Sequence, residues 1–148
     1  MIPLPVEETF ALVTDLRRHG EWIPLTRVQA PVALRESARV SALTAGVFRD
    51  RMVVQDIIEP RLLELEKVGP VLLGRVTIAV TPLADGGRSL VQWNYQVHAA
   101  GPLPRRVTAA VLTPALDVMA GLVLWRIARH AANLAPASTG SSQPPVAR

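Results

Sequence analysis

Residues 74–98 contain the pattern that most limits how this chain can fold. Residues 74–83 and 91–98 each alternate apolar and polar side chains, which is typical of a strand with one buried face. Between them, Asp85-Gly86-Gly87 supplies residues that readily adopt the positive φ of a tight turn. The two runs are therefore predicted to form an antiparallel hairpin. Its apolar face consists of Val76, Ile78, Val80, Val91, Trp93, Tyr95 and Val97.

The residues before this hairpin predict two short helices and further strands. Pro5 suits the start of a helix, and Phe10, Val13 and Leu16 recur at helical spacing after it. A second helical turn is predicted from Leu16 to Trp22, ended by Pro24. Apolar runs then predict strands over residues 26–30, 39–44, 51–58 and 62–68. Strands that follow one another between terminal helices indicate an α+β domain with an antiparallel sheet.

The C-terminal third of the chain predicts one long helical segment. Apolar residues follow a helical period from Pro104 to about Leu134. Pro114 lies inside this segment and is expected to kink it or divide it into two helices. Residues 135–148 contain Ala, Pro, Ser, Gly and Gln without an apolar period, so they are predicted to be a disordered tail. The folded domain is accordingly predicted over residues 1–134.

The same helix raises the alternative of a membrane span. Residues 107–125 are largely apolar and are bracketed by arginines, and their number approaches that needed to cross a bilayer. Asp117 lies near the middle, where an acid costs about 2.5–3.5 kcal/mol on insertion scales. The sequence therefore favours a core helix over an integral span, while association with a membrane surface stays open.

Composition excludes several classes of site. The chain of 148 residues has 49% hydrophobic and 19% charged residues, which is typical of a globular domain. It has no cysteine, so disulfides, thiolate metal sites and cysteine nucleophiles are excluded. The N-terminus lacks a signal-peptide pattern, from which a cytoplasmic location is expected. The net charge of +4 comes from scattered arginines and one lysine, Lys67, and does not favour nucleic-acid binding.

Four short motifs, in order along the chain, carry a resemblance to a known superfamily. They are Pro5-Val6-Glu7-Glu8-Thr9-Phe10-Ala11-Leu12-Val13-Thr14-Asp15, Glu21-Trp22-Ile23-Pro24, Asp56-Ile57-Ile58-Glu59-Pro60-Arg61 and Asp85-Gly86-Gly87-Arg88-Ser89-Leu90-Val91-Gln92-Trp93. Together they make residues 3–134 resemble the helix-grip superfamily of START domains and birch-pollen allergens. Within it, the chain looks most like the bacterial polyketide cyclase/dehydrase and lipid-transport group, the SRPBCC proteins.

This resemblance implies a curved antiparallel sheet wrapped around the long C-terminal helix. Relatives begin with a strand of about eight residues, but only Met1 to Leu4 precede the first helix here. The first strand is therefore expected to be truncated or absent, which would leave one sheet edge partly unpaired.

The helix-grip fold also implies an internal cavity between sheet and helix, because a strongly curved sheet is not filled by one helix. Apolar residues predicted to line it, and to bind a small hydrophobic ligand, are Val76, Ile78, Val80, Val91, Trp93 and Tyr95 from the sheet and Leu112, Leu116, Met119 and Val123 from the helix. If a bulge shifted the register of the last strand by one residue, its other face would point inward. The polar residues Gln92, Asn94, Gln96 and His98 would then face the cavity. The apolar alternative is favoured, because unpaired polar groups are costly to bury.

The sequence does not identify catalytic residues, and it predicts neither a metal nor a cofactor. His19, His98 and His130 lack metal-ligand spacing. Asp15 and His19 are four residues apart, which is more typical of a surface contact than of an acid–base pair. Arg51 or His98 could orient a ligand carbonyl, although nothing distinguishes them from surface residues.

Three functions remain open from the sequence. Binding of a lipid, quinone or polyketide-like metabolite is favoured. The alternatives are a polyketide aromatase or cyclase, for which Gln92, Asn94 or Tyr95 would polarise a ketone, and an interaction module that uses its basic surface on ribosomes or anionic membranes. The oligomeric state stays open.

Overall fold

The computed structural model describes residues 1–134, so the predicted tail, residues 135–148, lies outside the described residues. Two helices come first, α1 (Val6–Thr14) and α2 (His19–Trp22), joined by a 3-10 turn (Leu16–Arg18). Six strands and the long helix α3 follow: β1 (Thr26–Gln29), β2 (Arg39–Thr44), β3 (Phe48–Ile58), β4 (Leu62–Pro70), β5 (Leu72–Pro82), β6 (Ser89–Ala99) and α3 (Arg105–Leu134).

The six strands form one sheet in chain order, and every neighbouring pair is antiparallel. The sheet curls around α3, so the predicted helix-grip α+β architecture is confirmed. β3 begins three residues earlier than the apolar pattern predicted, because Ala45 and Gly46 adopt positive φ and turn the chain sharply. The charged residues Arg49 and Asp50 therefore belong to a strand, although their sequence has no apolar alternation.

The predicted hairpin of β5 and β6 forms without a bulge. Its register runs unbroken from Leu72 opposite Ala99 to Pro82 opposite Ser89. As a result, Val76, Trp93 and Tyr95 share the concave face of the sheet, toward α3. The reversed register, which would have turned Gln92 and Asn94 inward, is not adopted, and both of these residues are exposed.

Helix α3 packs against the concave face with its C-terminal half. Val123, Ile127 and Ala131 are almost completely buried there. The helix is continuous through Pro114, so the predicted division into two helices does not occur. Pro114 is exposed, and so is Ala110, whose carbonyl would have accepted the missing hydrogen bond. Water can solvate that carbonyl, which explains why the helix tolerates the proline.

A single residue near the N-terminus pairs with the first residue of β6. Ile2 bridges Ser89 through two backbone hydrogen bonds of 2.8 and 3.0 Å. The Ser89 hydroxyl also donates to the Leu4 carbonyl oxygen at 2.9 Å. Within residues 1–134 no further residue outside β5 extends this pairing along β6, as expected for a truncated first strand.

Gly74 controls how closely β5 and β6 approach, which leads to a test of the fold. Its φ is +124°, and an added Cβ would lie 2.1 Å from the Gln96 carbonyl oxygen. We expect Gly74→Ala to lower the free energy of unfolding by more than about 1 kcal/mol, since both the φ and the contact become strained. Gly87→Ala is the matched control because nothing lies within 4 Å of its Cβ position. Equal urea midpoints for the two variants would contradict this account.

Candidate ligand-binding site

A cavity of about 350 Å³ lies between the concave face of the sheet and the N-terminal half of α3. Its walls come from β1 to β6, from α3, and from the segment around α2. Most of the lining is apolar, and Leu65, Val76, Leu112 and Leu116 contribute to it. The volume lies at the lower end of the range for small-molecule pockets, about 300–1,000 Å³.

The ten apolar residues predicted to line the cavity separate into two groups. Six of them do line it: Val76, Trp93, Tyr95, Leu112, Leu116 and Met119. The other four do not line it and are buried in the core beyond its closed end: Ile78, Val80, Val91 and Val123. The cavity is closed at this end because α1 packs against β5 and the C-terminal half of α3 is buried against the sheet. Apolar and polar alternation in a strand shows which side chains point inward. It does not show how far along the strand the cavity extends.

The sequence interpretation missed a buried ion pair in the cavity wall. Lys67 of β4 donates to Asp50 of β3, and the two side chains are 9% and 14% exposed. A register shift between Arg51 and Met52 allows the two strands to bring these residues together. One signal was present in the sequence. Lys67 follows Leu63 and Leu65 at a period of two, which places the chain's single lysine on the buried face.

Two buried polar atoms on residues that line the cavity have no hydrogen-bond partner. They are the Oδ1 atom of Asp50, an acceptor, and the Nε1 atom of Trp93, a donor. Both residues line the cavity. Unpaired polar atoms are costly to bury, so the wall of the cavity carries one unsatisfied acceptor and one unsatisfied donor.

Aromatic rings form one wall around these atoms. Trp93 stacks on Tyr95 with the ring centroids 6.1 Å apart, and His19 lies 5.4 Å from Trp93 on its other side. Burial, together with the negative charge of Asp50, raises the pKa of Tyr95 above its ordinary value of 10.0. The phenol therefore stays protonated at neutral pH and can donate a hydrogen bond.

His19 is a structural part of this wall. Its Nε2 atom lies 2.9 Å from the Val13 carbonyl oxygen, which can only accept, so Nε2 carries a proton. Burial lowers the pKa of His19 below its ordinary value of 6.5. Asp15 forms an ion pair with Arg17 at 3.2 Å, and no hydrogen bond joins it to His19 within the described residues.

The other polar candidates lie away from the cavity. Gln92 and Asn94 are on the exposed face of β6, and His98, although half-buried, does not line the cavity. Within residues 1–134, no group of three His, Asp or Glu side chains is arranged to hold a metal ion.

Arg51 lines a separate groove on the convex face of β1 to β3, with a volume of about 1290 Å³. Its charged residues are Glu36 and five arginines, Arg27, Arg35, Arg39, Arg49 and Arg51. We call this surface the basic groove. Among the residues that the structure describes, none of these arginines forms an ion pair.

Comparison with known proteins identifies the family. A model of the family described as polyketide cyclase / dehydrase and lipid transport matches residues 1–137. The chain belongs to this family. No curated protein matches the sequence significantly.

One solved structure shares the fold of this polyketide cyclase/dehydrase chain, and a second has a lower TM-score. Protein Ms6760 from Mycobacterium smegmatis superposes with a TM-score of 0.65 at 14% identity, covering 90% of this chain and 87% of that one. CalU16 from Micromonospora echinospora has a TM-score of 0.49 at 20% identity, covering 89% of this chain and 79% of that one. The fold is typical of soluble proteins.

The buried ion pair gives a test of the site. We expect Lys67→Met to lower the free energy of unfolding by about 3–5 kcal/mol, because it removes the ion-pair partner of a buried carboxyl in the cavity wall. The double variant Asp50→Leu/Lys67→Met should regain most of this loss, since no buried charge is left. Urea unfolding of both variants measures the difference. If the free energy of unfolding of Lys67→Met lies within about 1 kcal/mol of that of the original protein, the pair is solvated and this account of the site is wrong.

His19 gives a test that depends on pH. Because its pKa is lowered in the folded state, the unfolded chain binds a proton more readily. The stability that His19 contributes is therefore complete above about pH 6.5, and it falls as the pH drops from there toward the folded-state pKa. His19→Gln, which keeps a donor for the Val13 carbonyl, should lose less stability between pH 7 and pH 5. Parallel pH profiles for the two proteins would rule out this role.

Proposed function

We propose that the protein binds a small, mainly apolar ligand, such as a lipid, quinone or polyketide-like metabolite, in the cavity between the sheet and α3. The observation that carries the proposal is the pair of unpartnered atoms in the apolar cavity wall, Asp50 Oδ1 and Trp93 Nε1. A guest with one hydroxyl and one carbonyl group would satisfy both atoms once the two side chains turn toward it. A purely hydrocarbon guest would leave both unpaired.

The other lining residues would supply contact area and orientation. Leu112, Leu116 and Met119 offer a flexible apolar wall on the helix side. The protonated phenol of Tyr95 could share the carbonyl of the guest with Trp93. Lys67 would hold the Asp50 carboxylate in place through their ion pair, and Asp50 would act as an acceptor for the hydroxyl.

The family description, which includes both cyclisation and lipid transport, supports a guest of this chemical class. We place the protein in the cytoplasm, with no cofactor or metal needed for binding.

A second candidate function is a cyclase or dehydrase reaction. It is favoured by a buried carboxylate with a free oxygen beside hydrogen-bond donors, which is the arrangement that proton abstraction next to a ketone requires. Asp50 would take a proton from the carbon between two ketones, and Trp93 and Tyr95 would stabilise the enolate oxygen. Asp50→Asn should then abolish turnover of a poly-β-ketone while the product still binds. Unchanged turnover would exclude this candidate.

The binding function is tested with four ligands of one shape. These are tetralin, 1-tetralone, 6-hydroxytetralin and 6-hydroxy-1-tetralone, examined by calorimetry and thermal shift. Each hydrogen bond gained should tighten binding by roughly 2–10-fold, because a net bond is worth about 0.5–1.5 kcal/mol. The hydroxyketone should bind most tightly.

The cavity itself is tested by filling it. Leu116→Trp should weaken every ligand at least about 10-fold, since the indole would occupy the guest volume. Ala110→Trp, an exposed position on the same helix, is the matched control and should bind as the original protein does. If none of the four ligands, nor a wider panel of lipids and quinones, raises the melting temperature, the proposal fails.

A further inference from the structure

The outer side of α3 exposes an apolar stripe that the cavity does not use. Val107, Val111, Val118, Leu122 and Trp125 recur at helical spacing on this side, and their exposed fractions range from 36% to 75%. We call these five residues the outer stripe. Only 17% of the most apolar stretch of α3 is buried. An exposed apolar surface of this length, rimmed by charges, is typical of an interaction site.

The charges around the outer stripe are mostly positive. Arg105 and Arg106 lie at one end, and Arg129 lies at the other. Arg126 also lies near that end, but it is half-buried and donates a hydrogen bond of 2.9 Å to the Trp22 carbonyl oxygen. Arg129 is stacked over the ring of Trp125 at 4.9 Å. Asp117 is the single acid of the helix.

We propose that α3 lies flat on an anionic lipid bilayer, with the outer stripe inserted at the interface and the arginines beside the phosphates. A helix that is apolar on one outward side and flanked by arginines binds in the plane of such a surface. Trp125 has the amphipathic ring that prefers this depth. The helix does not span the bilayer, because its other side, with Val123 and Ile127, forms the protein core.

A second copy of the chain fits the outer stripe less well. An antiparallel pair of α3 helices centred on Val118 would bring Arg129 of one copy within about a turn of Arg105 and Arg106 of the other. In a parallel pair, the arginines at each end of α3 would lie beside the same arginines of the other copy. Both arrangements place like charges together, whereas anionic headgroups neutralise them.

The C-terminal residues 135–148 are also a poor cover for the outer stripe. Val146 is their only large apolar residue, and the rest are Ala, Pro, Ser, Thr, Gly, Gln and Arg.

The experiment uses the full chain and vesicles of phosphatidylcholine with or without 30% phosphatidylglycerol. Cosedimentation should show binding to the anionic vesicles only, and the fluorescence of Trp125 should shift to the blue as the ring enters the interface. Trp125→Phe should abolish that shift, because Trp22 and Trp93 lie in the interior. Val111→Glu/Val118→Glu should weaken vesicle binding at least 10-fold.

Matched controls keep this test decisive. Val32→Glu, at a position 82% exposed and outside the outer stripe, should bind vesicles as the original protein does. Circular dichroism checks that each variant stays folded.

The proposal is overturned if the original protein does not bind anionic vesicles at low salt. It is also overturned if Val111→Glu/Val118→Glu leaves binding intact while Arg39→Glu/Arg51→Glu in the basic groove removes it. A dimer that dissociates in Val118→Glu, without vesicle binding, would assign the stripe to self-association.

Discussion

The packing of one half of α3 against the concave sheet is the contact on which the rest of this structure depends. Val123, Ile127 and Ala131 fill that end of the fold and leave no space beside them. Toward the N-terminus of the helix the sheet continues to curl, and Leu112, Leu116 and Met119 face a gap instead of a close-packed wall. The cavity is therefore a geometric consequence of a continuous helix packed closely against only one end of a curved sheet.

The polar groups in this gap give the cavity its chemical character. An ion pair in an apolar wall stabilises the fold little, since the cost of desolvating two charges offsets most of their attraction. In the pair of Asp50 and Lys67, the second carboxylate oxygen has no hydrogen-bond partner. Trp93 adds an unpaired donor, so the apolar wall contains polar groups of both kinds.

Much of the fold could be predicted from the sequence, but less of the site could. The Asp-Gly-Gly hairpin and the period of α3 are local patterns, so they determined the strand faces and the helix correctly. The extent of the cavity depends on how α1 and α3 fill the far end, which no local pattern records, and Ile78, Val80, Val91 and Val123 were misplaced for this reason. Asp50 was missed because a turn at Ala45-Gly46 extends β3 through charged residues. Lys67 was detectable from its spacing after Leu63 and Leu65.

One helix thus faces an apolar cavity on one side and an exposed apolar surface on the other, and the cavity depends on an open gap between the helix and the sheet. A crystal structure determined under xenon pressure tests that gap most directly, because xenon enters dry apolar cavities without specific chemistry. We expect a xenon atom between Leu116, Met119 and the ring of Trp93. A structure with no xenon there, and with these three side chains in mutual contact across the space, would contradict the account.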